Sequence, residues 1–293
     1  MLFICACCAC AQAQTPIAGH YPPGQSGIRG AITPLPGFSY TNFSRFFSNL
    51  EVLDASGTVT REVEEVRYAN ISMFTFTSDA QVLGMTYGAL AGVPFSTGNI
   101  HPSAEDVGSR SFGLGDILIT PLSLYGKSTA FDYQFQFTVW TPSGKFVPGG
   151  PDNRGTGYWA LIYSLGGVYF PGENRAEWSL SAVARIEQNF EQKESGITPG
   201  DDIVIDWGIG KIFETGAGVI DAGISGFATW QFTRETGNKA SVDSSAYYYF
   251  GIGPEASLSA SESLTLRLRA QWEFSAHNAV QGNNLWFIIN YRF

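Results

Sequence analysis

The stretch Ser263-Leu264-Thr265-Leu266-Arg267-Leu268-Arg269-Ala270-Gln271-Trp272-Glu273-Phe274-Ser275 repeats every two residues. Leu264, Leu266, Leu268, Ala270, Trp272 and Phe274 share one face, and Thr265, Arg267, Arg269, Gln271, Glu273 and Ser275 share the other. Successive side chains of a strand point to opposite sides, so this period predicts a strand with one apolar and one polar surface. The same pattern recurs at Phe131, Tyr133, Phe135, Phe137 and Val139 against Asp132, Gln134, Gln136 and Thr138. It recurs again at Trp178, Leu180, Ala182, Ala184 and Ile186 against Glu177, Ser179, Ser181, Arg185 and Glu187.

Working outward from these, twelve such runs are counted, at 37–46, 63–77, 82–92, 111–124, 131–141, 157–169, 176–190, 202–213, 217–232, 246–258, 263–275 and 284–293. A count between ten and fourteen fits the less regular runs. Many are long enough for the roughly 9–11 tilted residues with which a strand crosses a bilayer. Alternation alone also fits a soluble sandwich, so the connections decide. Those at 47–62, 93–110, 142–156, 191–201, 233–245 and 276–283 are long. Those at 78–81, 125–130, 170–175, 214–216 and 259–262 are short. Long and short connections in strict turn predict an all-β, up-and-down antiparallel transmembrane barrel, with short turns on the periplasmic side and loops outside.

Composition agrees. Charged residues make up 15% of the chain, below the roughly 25% of an average soluble protein, while aromatics reach 14%. A net charge of -9 without basic clusters excludes a nucleic-acid partner. The four cysteines, Cys5, Cys7, Cys8 and Cys10, lie in an apolar stretch leading to Ala11-Gln12-Ala13. Small residues at that spacing predict a signal peptide over 1–13, although Met1-Leu2-Phe3-Ile4 lacks the usual positive charge. The mature chain would then lack cysteine, so no thiol, disulfide or cysteine metal site is expected, and no cofactor.

Residues 14–36 precede the barrel over 37–293. Pro22, Pro23 and Pro34 with Gly24, Gly27 and Gly30 exclude a regular helix or central strand there. This segment is expected to plug the barrel, with His20 and Arg29 anchoring it to interior carboxylates. If apolar faces meet lipid, the inward set includes Asp132, Glu177, Arg185, Glu187, Asp202, Asp206, Asp221, Glu255, Arg267, Arg269, Glu273 and Arg292. Eight acids against four arginines predict at most a weak preference for cations. His101-Pro102-Ser103 has the spacing of an outer-membrane lipase dyad, but Pro102 and loop composition argue against catalysis, and no enzyme is expected.

The last run places Leu285, Phe287, Ile289, Tyr291 and Phe293 on one face. Tyr291 and Phe293 resemble the aromatic signal that delivers such barrels to the barrel-assembly machinery. The motifs Gly19-His20-Tyr21-Pro22-Pro23-Gly24-Gln25-Ser26-Gly27-Ile28-Arg29-Gly30-Ala31, Phe112-Gly113-Leu114-Gly115-Asp116, Thr141-Pro142-Ser143-Gly144-Lys145-Phe146 and Gly157-Tyr158-Trp159 resemble the family named for the meta-pathway of phenol degradation. That resemblance implies a twelve-stranded outer-membrane barrel for passive uptake of small hydrophobic or aromatic solutes. FapF-type pores of the same broad family make polypeptide (functional amyloid) export the alternative, although no heptad region precedes this barrel. The partners expected are outer-membrane lipid and lipopolysaccharide, the assembly machinery and the solute, with oligomerisation open.

Overall fold

The computed structural model describes residues 18–97, 112–148, 150, 152–172, 175, 177–216, 218–240 and 246–293. The expected signal peptide and the His101-Pro102-Ser103 motif lie outside these residues. The described elements are strands: β1 (Gly37–Leu53), β2 (Val59–Val82), β3 (Met85–Thr97), β4 (Phe112–Leu114), β5 (Leu118–Lys127), β6 (Phe131–Trp140), β7 (Ala160–Tyr169), β8 (Trp178–Asn189), β9 (Asp202–Thr215), β10 (Gly218–Gln231), β11 (Tyr248–Ser259), β12 (Leu264–His277) and β13 (Val280–Arg292).

Every pairing is antiparallel, and neighbours in sequence are neighbours in space apart from the short β4. β1 pairs with β13 from Ser39 opposite Arg292 to Val52 opposite Val280, which closes the sheet. Twelve strands therefore form an up-and-down barrel. Closure matters because hydrocarbon offers no partner to an open sheet edge. β4 is an extra piece that, among the described residues, pairs with the end of β3, with Phe95 opposite Leu114.

The outer surface is apolar where the strands alternate most clearly. Leu165, Leu180, Ile209, Ile224, Ile252, Leu268 and Phe287 are exposed on it. Phe38, Phe131, Tyr169, Trp178, Phe213 and Tyr291 ring the end with short turns, and Phe46, Trp159, Phe232 and Tyr248 ring the end with long loops. An apolar band between two aromatic girdles is the outer surface of a barrel in a bilayer.

Three expectations about boundaries need correction. The run at 111–124 is two strands, β4 and β5, because Gly115-Asp116-Ile117 leaves the ladder between them. The connections expected at 47–62 and 276–283 shrink to 54–58 and 278–279. Above the band the outer face of β2 carries Thr60, Glu62 and Glu64, so the apolar alternation stops while the hydrogen-bonded ladder continues. Long connections thus remain at four of the six loop-end positions, those after β3 and β4, β6, β8 and β10.

Two equally exposed apolar residues separate band from rim. Leu165, 68% exposed, lies midway along β7, whereas Val66, 67% exposed, lies on the part of β2 that rises past the end of β3. Leu165→Arg is expected to destabilise the barrel in lipid vesicles by about 2–4 kcal/mol, and Val66→Arg by about 0–1 kcal/mol. Urea unfolding of the two variants in vesicles checks this; equal losses would place both in the same environment.

Candidate functional site

Gly37 begins β1 at the turn end, and the segment before it runs up the inside of the barrel. Thr33 N–H donates to Asp132 Oδ2 at 3.0 Å, near the turn end of β6. Arg29 Nε donates to Asp221 Oδ2 at 2.6 Å. Ile28 N–H donates to both oxygens of Glu255, at 3.2 and 3.1 Å. Gly24 and Ser26 N–H groups donate to Asp206 at 2.7 and 3.0 Å, and Tyr21 Oη donates to the same carboxylate at 2.5 Å. His20 N–H reaches Glu187 Oε1 at 2.7 Å near the loop end. A chain with few backbone pairs of its own must satisfy its N–H groups elsewhere when buried, and wall carboxylates take that place.

Local sequence makes the path fit. Pro22, Pro23 and Gly24 are buried in the interior, and Gly24 adopts φ +85°, a conformation that a Cβ disfavours. On the facing wall a Cβ at Gly208 would stand 2.7 Å from Ile28 Cα, so only glycine lets β9 touch the segment's backbone. Arg269, fully buried, donates to the carbonyls of Gly24 and Ser26 while holding Glu255 at 2.7 Å.

His20 is the loop-end anchor. Its Nδ1–H donates to Glu187 Oε1 at 2.7 Å, and its Nε2–H to Thr156 Oγ1 at 2.6 Å. Thr156 Oγ1–H donates onward to Asp116 Oδ2 at 2.9 Å. Both ring nitrogens then act as donors, which requires the imidazolium. Burial alone disfavours that charge, but the hydrogen bonds and charges of Asp116 and Glu187 outweigh it and raise the His20 pKa to about 9. For Asp116 burial opposes ionisation too, yet His20 and the backbone of Thr156 and Gly144 hold its pKa below the usual value. Tyr158 stacks edge-on against the ring at 4.5 Å and donates its hydroxyl to Ala18 O.

The segment leans on β8 to β12 and leaves space against the rest of the wall. This cavity, ≈ 480 Å³, has an apolar side made by Phe43, Met73, Leu90, Leu118, Trp140 and Ile162. Leu118, Trp140 and Ile162 pack with Ile71, Tyr158 and Ala160 into a buried cluster at the loop end. At the turn end the cavity reaches the exposed Leu35 and Glu262. Apolar side chains facing the inside of a membrane barrel are unusual, because such interiors are ordinarily polar.

Of the sequence-derived residues, Asp132, Arg185, Glu187, Asp202, Asp206, Glu255, Arg269 and Glu273 are buried, and Asp221 and Arg267 are largely so. Asp132, Glu187, Asp206, Asp221, Glu255, Arg185 and Arg269 meet the 18–36 segment. Glu273 stands apart, bonding Asn284 and the backbone of Gly282, with Arg45 at 3.6 Å. Glu177 does not join them: β8 starts at Trp178, and Glu177 is exposed in the preceding turn. Arg292 is at the turn-end rim, where Nη2 donates to Glu262 O at 3.3 Å. Tyr291 and Phe293 are exposed on the outer face, their rings 5.2 Å apart. Sequence reasoning missed Thr156 and Trp140, and quoted Asp116 and Tyr158 as motif residues without giving either a role; all four come from strand ends and loops. It also missed Arg45, held by Asn284 at 2.6 Å and stacked on Phe47.

The family model described as "Putative MetA-pathway of phenol degradation" matches residues 51–289, most of the chain. The chain belongs to this family. The phenol-degradation family member aligns with the crystal structure of an outer membrane channel from Pseudomonas putida F1 at a TM-score of 0.69 and 12% identity. That alignment covers 92% of this chain and 99% of the channel. It also aligns with the beta domain of the Bordetella autotransporter BrkA, at a TM-score of 0.53 and 9% identity, over 88% and 100% of the two chains. No curated protein matches the sequence. The fold is that of bacterial outer-membrane barrels, and its apolar band places this family member in that membrane.

The His20 anchor sets a pH window. Its folded pKa, about 9, lies above the unbound 6.5, so its stabilisation is complete below 6.5 and disappears as pH rises through about 9. The loss amounts to about 3 kcal/mol. On the acid side docking weakens as pH falls through the lowered pKa of Asp116. Glu187, Asp202 and Tyr158 are the other titratable groups around the ring. Hydrogen exchange at the amides of 19–31, corrected for intrinsic rate, is expected to show protection falling between pH 6.5 and 9, and His20→Gln to abolish that dependence. Protection that stays level across this range would show that the imidazolium does not hold the segment.

Proposed function

We propose that this protein is an outer-membrane channel for passive uptake of small hydrophobic or aromatic compounds, with residues 18–36 as its plug. The observation that carries this reading is the cavity of ≈ 480 Å³ with Phe43, Met73, Leu90, Leu118, Trp140 and Ile162 on one side. Its size lies in the range of small-molecule pockets, which pair apolar walls with a few polar groups. Here Thr120, Thr138, Gln134, Gln136 and Ser164 supply the polar groups. A hydrophilic solute would gain nothing from such a wall, whereas an aromatic ring gains by leaving water. Outer-leaflet lipopolysaccharide and the barrel-assembly machinery are the partners this reading implies. Polypeptide export fits less well, since the 18–36 segment would have to leave the interior and give up its bonds to Asp132, Asp206, Glu187 and Glu255 first.

Met73 faces the cavity from β2, opposite Thr41. Met73→Trp fills it and is expected to lower uptake of radiolabelled toluene by intact cells expressing the protein roughly fivefold or more, by excluding a solute of the same size as the added ring. The heat-modifiable folded band on gels confirms assembly. If the native chain takes up no more toluene than cells without it, the channel reading fails. Deleting residues 18–36 is expected to raise single-channel conductance severalfold, and an unchanged conductance would reject the plug.

A further inference from the structure

The carboxylates that dominate the barrel wall do not face the free space. Asp132, Glu187, Asp206 and Glu255 accept backbone N–H groups of the 18–36 segment, and Asp221 accepts Arg29. None of these five lines the cavity. Its charged lining consists of Arg29, Arg185, Arg267 and Arg292 with one acid, Glu262, at the exposed turn-end rim. The expectation of a weak cation preference counted wall charges without regard to the segment that uses them up.

Two of these guanidiniums have donors to spare. Arg29, from the segment, has a side chain about nine-tenths buried; Nε holds Asp221 at 2.6 Å, while Nη2 is buried without a hydrogen-bond partner. Arg267, from β12, lies 3.3 Å from Glu255 Oε1, yet its buried Nε makes no hydrogen bond. Glu255 is already committed to Arg269 Nε at 2.7 Å and to Ile28 N–H. Three guanidiniums, Arg29, Arg267 and Arg269, thus share two carboxylates, Asp221 and Glu255, and the cluster carries an excess positive charge. Arg185 is not available in the same way, since it bonds Asp206 and Ser26 Oγ. Buried, unpaired charge is costly unless an opposite charge completes it.

We infer that Arg29 and Arg267 form an anion subsite at the turn-end side of the cavity, with Arg292 at its mouth, and that the preferred solutes are aromatic carboxylates. The ring lies against Phe43, Met73 and Leu90, and the carboxylate takes the free guanidinium N–H groups, as planar guanidinium donors suit a planar carboxylate. Because Arg29 belongs to the segment and Arg267 to the wall, the subsite exists only while the segment is docked. A solute that binds there stabilises the docked state by the same free energy, so anion binding and segment docking are linked.

This inference rests on the cavity being the solute site, and the test separates the two. Benzoate and benzylamine carry the same ring and opposite charge at neutral pH, and both partition weakly into detergent. Isothermal titration of the full chain in micelles, with protein-free micelles as blank, is expected to give benzoate an affinity about tenfold or more above benzylamine, the effect of one charge-assisted contact. Arg267→Gln is expected to bring the two affinities together, and Arg267→Lys to retain part of the preference. Equal binding of both probes by the native chain overturns the anion subsite and leaves the aromatic channel standing. So does a benzoate preference that survives Arg267→Gln in a folded barrel. Failure of both probes to bind overturns the cavity as a solute site and the subsite with it.

Discussion

The barrel depends on one constraint: in hydrocarbon, every backbone N–H and C=O must find a partner inside the protein. A sheet meets it only by joining its first strand to its last, and the β1–β13 ladder does so. Closure settles what can follow. The chain ahead of β1 has to leave from the turn-end rim, either away from the barrel or into it. Residues 18–36 go inside, where their own N–H groups face the same demand. They meet it with side chains of the wall, because proline and positive-φ positions rule out a ladder.

That second requirement explains the charge pattern of the interior. A row of carboxylates along one side of a barrel would repel itself and stay hydrated. Backbone N–H groups, Arg29, His20 and Arg269 turn the row into a set of matched acceptors. The segment therefore acts as a counter-surface for β8 to β12, and its curvature is permitted by Gly208, which brings Ile28 onto the wall. The opposite half of the barrel has no such partner. There Phe43, Met73, Leu90 and Ile162 face open space, and the interior is divided into a filled half and a hollow half with one apolar side.

Much of this was legible in the chain. Alternation at 131–139, 178–187 and 263–275 identified the faces correctly, since lipid on one side and interior on the other impose a period of two. It failed on β1, β2, β12 and β13 beyond the band, where the outer face no longer meets lipid and carries Thr60, Glu62 and Glu64, while Phe47, Leu50, Val52 and Val280 pack into a buried cluster. Glu177 failed for a related reason: a residue in a turn has no face. His20 and Arg29 were recognisable as anchors because cations in a Pro- and Gly-rich segment need acids somewhere. Glu187 and Asp221, which bind them, were on the inward faces, but Thr156 and Asp116, which complete the site of His20, were given no role, being distant in sequence and outside the alternating runs of the strands.

The sequence by itself determined the class of fold, the approximate number of strands, the outward face and the presence of a segment that could be neither helix nor strand. Those properties follow from local periodicity and backbone chemistry, which each stretch carries alone. Only the tertiary structure decided which charges face the cavity. Counting residues on the inward face gives eight acids and four arginines, but five of the acids, Asp132, Glu187, Asp206, Asp221 and Glu255, are engaged by a segment that crosses the interior, and the charged side chains at the cavity are mostly arginine. Pairing across the barrel involves residues more than a hundred positions apart, and no local pattern encodes which of two facing charges is left over.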